Sequence, residues 1–382
     1  MNILKRRKKV VKIKTSEAVF KGHPDKVCDQ IADGILDVLL TYDKDSRVAI
    51  ECLIKDNYVI VAGEVTTQAD INYEEVIRLI LNDIGYTEYF EIIVHISKQS
   101  DDIKIGVDKL GAGDQGIMYG YAIDETKECL PLPYVLSRDI AKRMDEINRK
   151  NPLIFGLDGK CQVSIVYEGR KPERISTVVV SAQTKVGITR KEYEPYIHEV
   201  LEEVLPWGLI DANTLILINP TGEFVTGGPT ADSGVTGRKL QVDSYGSLCL
   251  HGGGAYSGKD YTKVDRSGAY FARYVAKAIV KAKLATSCRV SVAYAIGVPF
   301  PVMVDVKANY SKLSNDELRK IINKVFDFTP SNIIKELKLK DQKYYPLSTY
   351  GHFGHKDYPW EEIPEKVIKK LQEVSKSLDG QN

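Results

Sequence analysis

The order of predicted helices and strands repeats three times along the chain, and this repeat limits the folds it can adopt. An apolar stripe of Val27, Ile31, Ile35 and Val38 predicts a helix over residues 25–40. That first pass continues with strands at 48–54 and 58–67, a helix at 73–82 and a strand at 91–97. Helix–strand–strand–helix–strand is the order of a layered α+β unit, with helices on one face of a small sheet.

The same order follows twice more. The second pass has a helix at 136–149, strands at 162–167 and 175–184, a helix at 191–205 and a strand at 214–219. The third has a helix at 267–283, strands at 289–296 and 303–307, a helix at 315–326 and an ambiguous end at 332–337. The predicted fold class is therefore α+β, with three similar α/β-layered domains related by pseudo-threefold symmetry. We place them at residues 15–110, 111–231 and 232–382, after a basic extension at 1–14 that we expect to be disordered.

The charge of the chain is balanced, which argues against nucleic acid or a membrane surface as its main partner. It carries 53 Lys and Arg against 52 Asp and Glu, and seven of those basic residues lie in the segment 1–14. No apolar segment follows this basic stretch, so a signal peptide is not predicted, and no run reaches transmembrane length. The six cysteines are scattered without a CxxC pair, which predicts reduced, mostly buried thiols and a cytoplasmic location.

Residues 251–266 hold the densest collection of ligand-binding chemistry. Four glycines let the backbone approach a ligand, while Lys259, Lys263 and Arg266 supply positive charge. Asp260 and Asp265 are candidate metal ligands. The spacing Gly-x4-Gly-Lys nearly matches the P-loop, but Asp260 stands where that motif requires Ser or Thr. The segment has the chemistry of a polyphosphate–metal site without being a P-loop.

Three further clusters place glycine next to charged side chains. Residues 22–26, Gly-His-Pro-Asp-Lys, lie at the mouth of the first helix, where unpaired N–H groups attract anions and His23 and Lys26 add donors. Residues 111–116 form a glycine-rich turn with one acid. Residues 219–239 combine Gly, Pro and Thr and end in Arg-Lys, which is typical of a ligand-binding loop.

A ladder of aspartates begins in the first of these clusters. Asp29, Asp33 and Asp37 follow Asp25 at intervals of four residues, which places all four near one face of the first helix. Charges on a helix face are most often solvated, so we expect the last three to form an acidic surface. Asp25, beside a histidine and a lysine, is the better candidate metal ligand.

Together the clusters supply many cations but no evident general base. The candidate cations are His23, Lys26, Arg238, Lys239, Lys259 and Lys263. The sequence contains no nucleophile elbow, Cys–His pairing, zinc spacing or kinase signature. This combination favours a reaction whose difficulty lies in a polyanionic leaving group and whose nucleophile needs no deprotonation.

These residues resemble those of the S-adenosylmethionine synthetase (methionine adenosyltransferase) family. The matching segments are 22–26, 111–116, 219–239, 251–266, Tyr-Gly-His-Phe-Gly at 350–354 and Pro-Trp-Glu at 359–361. The resemblance implies the S-adenosylmethionine synthetase fold and an enzyme that joins methionine to ATP: the sulfur attacks C5′ of the ribose, and the released triphosphate is cleaved to pyrophosphate and phosphate. A neutral thioether needs no base, whereas a triphosphate of about four negative charges needs cations and metal as it leaves.

Matched residue by residue, the resemblance implies a role for each of the following side chains. The phosphates are held by His23, Lys160, Arg238, Lys239 and Lys259, all of which except Lys239 are also assigned to catalysis. The rest of the ATP site is lined by Asp158, Glu223, Phe224, Asp232, Ala255 and Ile296. Methionine is bound by Glu64, Gln99, Asp232 and Lys263. Asp25 and Asp265 ligate magnesium, about two ions per site, and Glu51 ligates potassium. The resemblance also implies a homodimer or homotetramer whose active sites take residues from both subunits.

The sequence departs from the family pattern in places, and two other functions stay open. The segment between Gln99 and Gly111 is several residues shorter than in the common bacterial form, where it gates the site, and Lys21 stands where an acid is common. Another ATP-dependent phosphate-cleaving enzyme, such as a P-loop ATPase or kinase, would require Ser or Thr in place of Asp260. A catalytically impaired regulatory homologue would be expected to have lost cations or acids that are all present here.

Overall fold

The computed structural model describes residues 11–98 and 111–379, and three versions of one α/β unit form its body. A strand, β1 (Val11–Val19), precedes the first unit. The first unit consists of α1 (Pro24–Tyr42), β2 (Arg47–Lys55), β3 (Tyr58–Thr66), α2 (Tyr73–Ile84) and β4 (Glu91–Ser97). The second unit follows β5 (Gly116–Ile123) and consists of α3 (Leu132–Lys150), β6 (Phe155–Glu168), β7 (Lys171–Thr184), α4 (Arg190–Val204) and β8 (Leu215–Ile218).

The third unit differs from the other two at its end. A two-residue strand, β9 (Gly234–Val235), and a short helix, α5 (Leu240–Asp243), precede it. It consists of α6 (Val264–Lys281), β10 (Ser287–Tyr294), β11 (Met303–Asn309), α7 (Asn315–Val325) and α8 (Pro330–Glu336). The helix α8 thus occupies the chain position where the other units have a third strand. A last helix, α9 (Glu365–Asp379), follows, and short 3-10 turns lie at Trp207–Leu209, Gly228–Thr230, Leu339–Asp341 and Tyr345–Leu347.

Each unit gives its leading strand to the sheet of another unit. The first sheet has the order β4-β3-β2-β9, the second β1-β6-β7-β8 and the third β11-β10-β5. β1 therefore completes the second sheet, β5 the third and β9 the first, and each donated strand is antiparallel to its neighbour. Because this exchange is cyclic, residues that follow a donated strand lie where two units meet.

Burial explains why the segments of the first unit form these elements. β2 alternates buried and more exposed residues, and Ile50, Cys52 and Ile54 share one apolar core with Val27 and Ile31 of α1. Each such side chain contributes about 1.5–3 kcal/mol when it is fully buried. The alternation leaves the other face of the sheet exposed, and that face carries part of the site described below.

The structure confirms the predicted order of helices and strands and corrects it in particular places. Residues 11–14 are part of β1 and pair with β6, so the predicted disorder of the basic extension is wrong for these four residues, while residues 1–10 lie outside the described range. The ambiguous segment at 332–337 lies mostly in α8. The predicted repeat lacks the three donated strands and α9. Each donated strand pairs with another unit, so it is not part of the order that repeats along the chain. The domain boundaries stay predictions.

The cysteines are reduced and mostly buried, as the sequence predicts. All six cysteines are free thiols, and five are buried, whereas Cys249 is half-buried. Within the described ranges, none of the helices combines the length and the apolar character needed to cross a bilayer.

Candidate active site

The donated strand β1 brings together predicted site residues from two units. Val19, its last residue, pairs with Lys160 of β6, and the chain then turns into α1, which His23 caps. The His23 Nδ1 accepts the backbone N–H of Asp25 at 3.2 Å, which leaves Nε2 as the N–H donor of the neutral ring. His23 and Lys160 therefore meet through strand exchange.

The charges around His23 keep its ring neutral. Burial and the nearby ammonium groups of Lys239 and Lys160 lower its pKa to about 4, although the carboxylates of Asp25 and Asp232 act in the opposite direction. A neutral His23 presents one N–H to a ligand near neutral pH.

Asp25 lies at the same helix start and holds the two cations that follow β9. Its Oδ2 lies 2.6 Å from Lys239 Nζ, and its Oδ1 lies 3.5 Å from Arg238 Nε. The backbone N–H of Val235 donates to Oδ1 at 3.0 Å. Asp25 is buried, whereas Arg238 is exposed. We call His23, Asp25, Lys160, Arg238 and Lys239 the helix-mouth group. It combines four side chains that carry nitrogen donors with one carboxylate, a hard oxygen ligand.

Two contacts fix the loop 219–239 against the second sheet. Asp158 Oδ2 accepts the N–H of Gly228 at 2.8 Å, and the carbonyl of Phe224 accepts the N–H of Thr184 at 2.8 Å. Burial raises the pKa of Asp158. The loop therefore has a fixed path past the helix-mouth group.

The predicted nucleotide-site residues differ in exposure along this loop. Phe224 is half-buried, and Glu223 and Asp232 are exposed. Asp232 interacts electrostatically with both His23 and Asp158, so it lies near both side chains.

A second collection of predicted residues lies on the outer face of the first sheet. Lys259 pairs with Ala49 of β2, and Ala49 lies opposite Glu64 of β3. The Lys259 Nζ lies 2.6 Å from Oδ2 of Asp265, in the first turn of α6. Glu51 is two residues from Ala49 and therefore projects from the same face. We call Glu51, Glu64, Lys259 and Asp265 the sheet-face group.

Lys259 and Glu64 both lie close enough to Glu51 for their charges to shift its pKa. Desolvation raises its pKa, Lys259 lowers it and Glu64 raises it again, even though the side chain as a whole is exposed in the single chain. Two carboxylates beside one lysine form an oxygen-rich site that suits a cationic ligand group.

The first sheet separates the two groups. Asp25 belongs to α1, which packs on the inner face, whereas Glu51 and Glu64 project from the outer face. Within residues 11–98 and 111–379, no hydrogen bond or ion pair joins a member of one group to a member of the other. One chain therefore presents two partial sites on opposite faces of a sheet.

The remaining predicted residues lie at the edges of these groups. Ala255 lies beside Gly237, which directly precedes Arg238. Ile296 is exposed and bridges to Ala112 of the turn at 111–116. Gln99 lies outside the described residues, so its role in methionine binding stays a prediction.

Four charged residues of the predicted clusters are buried against internal partners. Asp260, a candidate metal ligand, is fully buried and accepts the N–H groups of Val48 and Thr262, both at 2.8 Å. It also binds the Lys263 ammonium at 2.6 Å, so the contact of Lys263 with methionine stays a prediction.

Lys26 and Arg266 are the other two. Lys26 is buried between Asp29 and Asp243, at 2.8 and 2.5 Å. Arg266 is buried against Asp33 and the carbonyl of Tyr256. Their selection as ligand-binding cations is therefore wrong, because the tertiary structure provides each with a buried acceptor.

The prediction of a solvated acidic face on α1 is also wrong. Asp29 and Asp33 are fully buried, and Asp37 is 8% exposed. The spacing shows that they share a face but not what covers it. A sequence signal did exist, because apolar residues such as Ile35 and Leu36 on the remaining faces of α1 indicate a helix that is buried all round.

The donor chemistry of the two groups fits magnesium bound jointly with phosphate. Each group contains one carboxylate, Asp25 or Asp265, that lies 2.6 Å from a lysine. In the part of the chain that the structure describes, no three His, Cys, Asp or Glu side chains form a cage for a metal. Mg²⁺ typically takes one or two carboxylates and completes its shell with phosphate oxygens and water, so a site with one lysine-paired carboxylate in each group suits it.

Comparisons with known proteins match almost the whole chain. Three family models match the chain: the S-adenosylmethionine synthetase N-terminal domain over residues 11–101, the central domain over 109–224 and the C-terminal domain over 226–362. An S-adenosylmethionine synthase from Clostridium tetani (strain Massachusetts / E88) is 43% identical over 388 aligned positions, which cover 95% of this chain and 98% of the relative.

Proposed function

The chain belongs to the S-adenosylmethionine synthetase family, and from this premise we propose that the helix-mouth and sheet-face groups form its active site. The chain is a methionine adenosyltransferase, which forms S-adenosylmethionine from L-methionine and ATP. The observation that carries the assignment of the site is the convergence of His23, Arg238 and Lys239 on Asp25. This cluster suits a leaving triphosphate.

The reaction needs charge stabilisation more than proton transfer. A lone pair of the methionine sulfur forms the bond to C5′ of the ribose, and the C5′–O5′ electrons leave with the triphosphate. The sulfur becomes a sulfonium without losing a proton. Water then cleaves the bound triphosphate to pyrophosphate and phosphate. Groups fixed where negative charge develops lower the barrier of such a step.

The cations of both groups supply that stabilisation. Arg238, Lys239 and Lys160 meet the phosphates from the helix mouth, and Lys259 meets them from the sheet face. His23 donates its Nε2–H as a neutral group. Lys239 and Lys259 bind carboxylates in the free chain, so both become available to phosphate when their carboxylates bind a metal.

The same two groups would hold the metal ions. Asp25 and Asp265 are the proposed magnesium ligands, with about two ions per site, and Glu51 is the proposed potassium ligand. Bound magnesium supplies additional neutralisation of the phosphate oxygens. The support in the structure is the oxygen donor set and its two lysine counterions.

Residues around these groups would bind the nucleoside and methionine. Asp158, Glu223, Phe224, Asp232, Ala255 and Ile296 are the proposed lining of the nucleotide site. Glu64, Gln99, Asp232 and Lys263 are the proposed methionine contacts. A carboxylate such as Glu64 can neutralise the methionine ammonium and favour the developing sulfonium.

We further propose a homodimer, or a homotetramer of dimers, with shared active sites. The support is geometric, because one chain places the two groups on opposite faces of the first sheet. The outer face also exposes apolar residues, including Leu53 at 39% and Ile60 at 37%, which pair with each other across β2 and β3. A second copy packed on this face would bury them. A cytoplasmic location is proposed from the free cysteines.

A product assay tests the proposed function. The purified protein is incubated with methionine, ATP and Mg²⁺, and S-adenosylmethionine, pyrophosphate and phosphate are measured. All three products are expected, and S-adenosylmethionine should disappear when methionine is omitted. Formation of ADP, or products independent of methionine, would contradict the proposal.

A further inference from the structure

The four aspartates on one face of α1 each accept a backbone N–H from a distant part of the chain. Asp25 accepts from Val235, Asp29 from Gly237, Asp33 from Gly258 and Asp37 from Tyr344 and Tyr345, at 2.8 to 3.0 Å. A buried carboxylate that accepts backbone N–H groups fixes the position of the segment that donates them. The face is therefore a row of attachment points for loops.

Two of these attachments lie directly before proposed site cations. Gly237 precedes Arg238 and Lys239, and Gly258 precedes Lys259. Their φ angles are +74° and +79°, values that favour glycine. A Cβ on Gly237 would lie 2.6 Å from Ala255, and one on Gly258 would lie 2.0 Å from a backbone oxygen. The attached residues thus have one available conformation, which sets the direction of the cation that follows.

One oxygen of the Asp29 carboxylate binds the loop, and the other binds an internal counterion. Oδ1 accepts the Gly237 N–H at 2.9 Å, and Oδ2 binds the Lys26 ammonium at 2.8 Å. Lys26 also binds Asp243 at 2.5 Å, so it stays paired if Asp29 is changed. Asp29 itself is fully buried and belongs to neither group of the proposed site.

We propose that Asp29 is a positioning residue for the triphosphate-binding cations: it holds Gly237 so that Arg238 and Lys239 point into the helix mouth. The inference rests on the proposed function of these two cations. Asp29 does not contact the substrate and acts only through the loop. A displacement of about 1 Å in such groups can cost about 10²-fold in rate.

The chain offers a matched control in Asp37. It lies on the same face of α1, two turns after Asp29, and accepts backbone N–H groups at a segment that carries none of the proposed site residues. If these hydrogen bonds serve stability alone, Asp29→Ala and Asp37→Ala should change kcat to a similar extent. If Asp29 positions the cations, the two variants should differ in kcat.

The experiment measures kcat, KM and melting temperature for both variants in the full-length protein, well below their melting temperatures. We expect Asp29→Ala to lower kcat by about 10²-fold and Asp37→Ala by less than about threefold. Asp29→Asn retains an oxygen acceptor for Gly237 and should recover most of the lost kcat.

A double-mutant cycle then tests whether Asp29 acts through the loop. Adding Asp29→Ala to the double variant Arg238→Ala/Lys239→Ala should lower kcat by less than about threefold further, because coupled residues are not additive. The proposal is overturned if Asp37→Ala loses as much kcat as Asp29→Ala, or if the effect of Asp29→Ala multiplies with that of the double variant. Wild-type activity separates these outcomes from a failure of the proposed function, which would leave no methionine-dependent product in any variant.

Discussion

At the scale of single residues, two neighbouring lysines differ in what surrounds them. Lys259 is half-buried and paired with Asp265, which itself is a proposed metal ligand. Lys263 is buried on Asp260, whose oxygens also accept two backbone N–H groups. Lys259 can therefore exchange its partner for phosphate, whereas Lys263 would have to leave a buried carboxylate to contact methionine.

Lys259→Ala should reduce turnover far more than stability. Loss of one group that stabilises the developing charge costs about 10²–10³-fold in kcat. The measurement is kcat beside melting temperature, with Lys283→Ala as the control, because Lys283 forms an exposed ion pair with Asp124 at 3.1 Å. Equal proportional losses of activity and stability in Lys259→Ala would indicate a structural role instead.

At the scale of elements, a buried ionic cluster ties α6 to the segment before α9. Glu361 accepts from Arg273 Nε and Nη2, both at 2.9 Å, and from Lys277 at 2.6 Å. Burial raises the pKa of Glu361, but Arg273 and Lys277 outweigh it and hold the value at about 2. A folded-state pKa below the unfolded value adds stability above the unfolded pKa, and that stability is lost as pH falls.

The stability of the protein should therefore fall between about pH 4.5 and pH 2, with Glu361 contributing about 3 kcal/mol. Glu361→Gln should be less stable at pH 7 and should lose less stability over the same acid range. Urea unfolding at a series of pH values measures both curves. Parallel curves for wild type and variant would show that Glu361 does not cause the acid sensitivity.

The donated strand β1 leads to a second prediction at this scale. Removal of residues 1–10 should leave stability unchanged, because it keeps every described pair between β1 and β6, from Val11 to Val19. Removal of residues 1–19 should expose the edge of β6 and reduce soluble, folded protein. Circular dichroism and melting of the two truncated proteins provide the test. Equal stability of both would show that β1 is dispensable for the second sheet.

At the scale of the whole molecule, the separation of the two groups predicts complementation between subunits. Lys239→Ala disables the helix-mouth group, and Lys259→Ala disables the sheet-face group. In a mixed dimer with shared sites, one site carries both changes and the other carries neither. Doubly tagged heterodimers should therefore show about half of wild-type activity, as expected for two symmetric sites. No activity above the single variants would place each site within one chain.

The sequence by itself determined the family and the repeated order of helices and strands within the units, and it provided the residues from which the site is proposed. Hydrophobic periodicity is a local property, and so are glycine-rich motifs with fixed charges, which is why His23, Asp25 and Lys259 stand out without a structure. Only the tertiary structure decided which charged residues are available. Lys26 and Asp29 lie on the same helix as Asp25, yet both bind internal partners, because segments more than 200 residues away supply Asp243 and the Gly237 N–H. The cyclic exchange of β1, β5 and β9 was decided in the same way, since strand pairing depends on partners that no local pattern encodes.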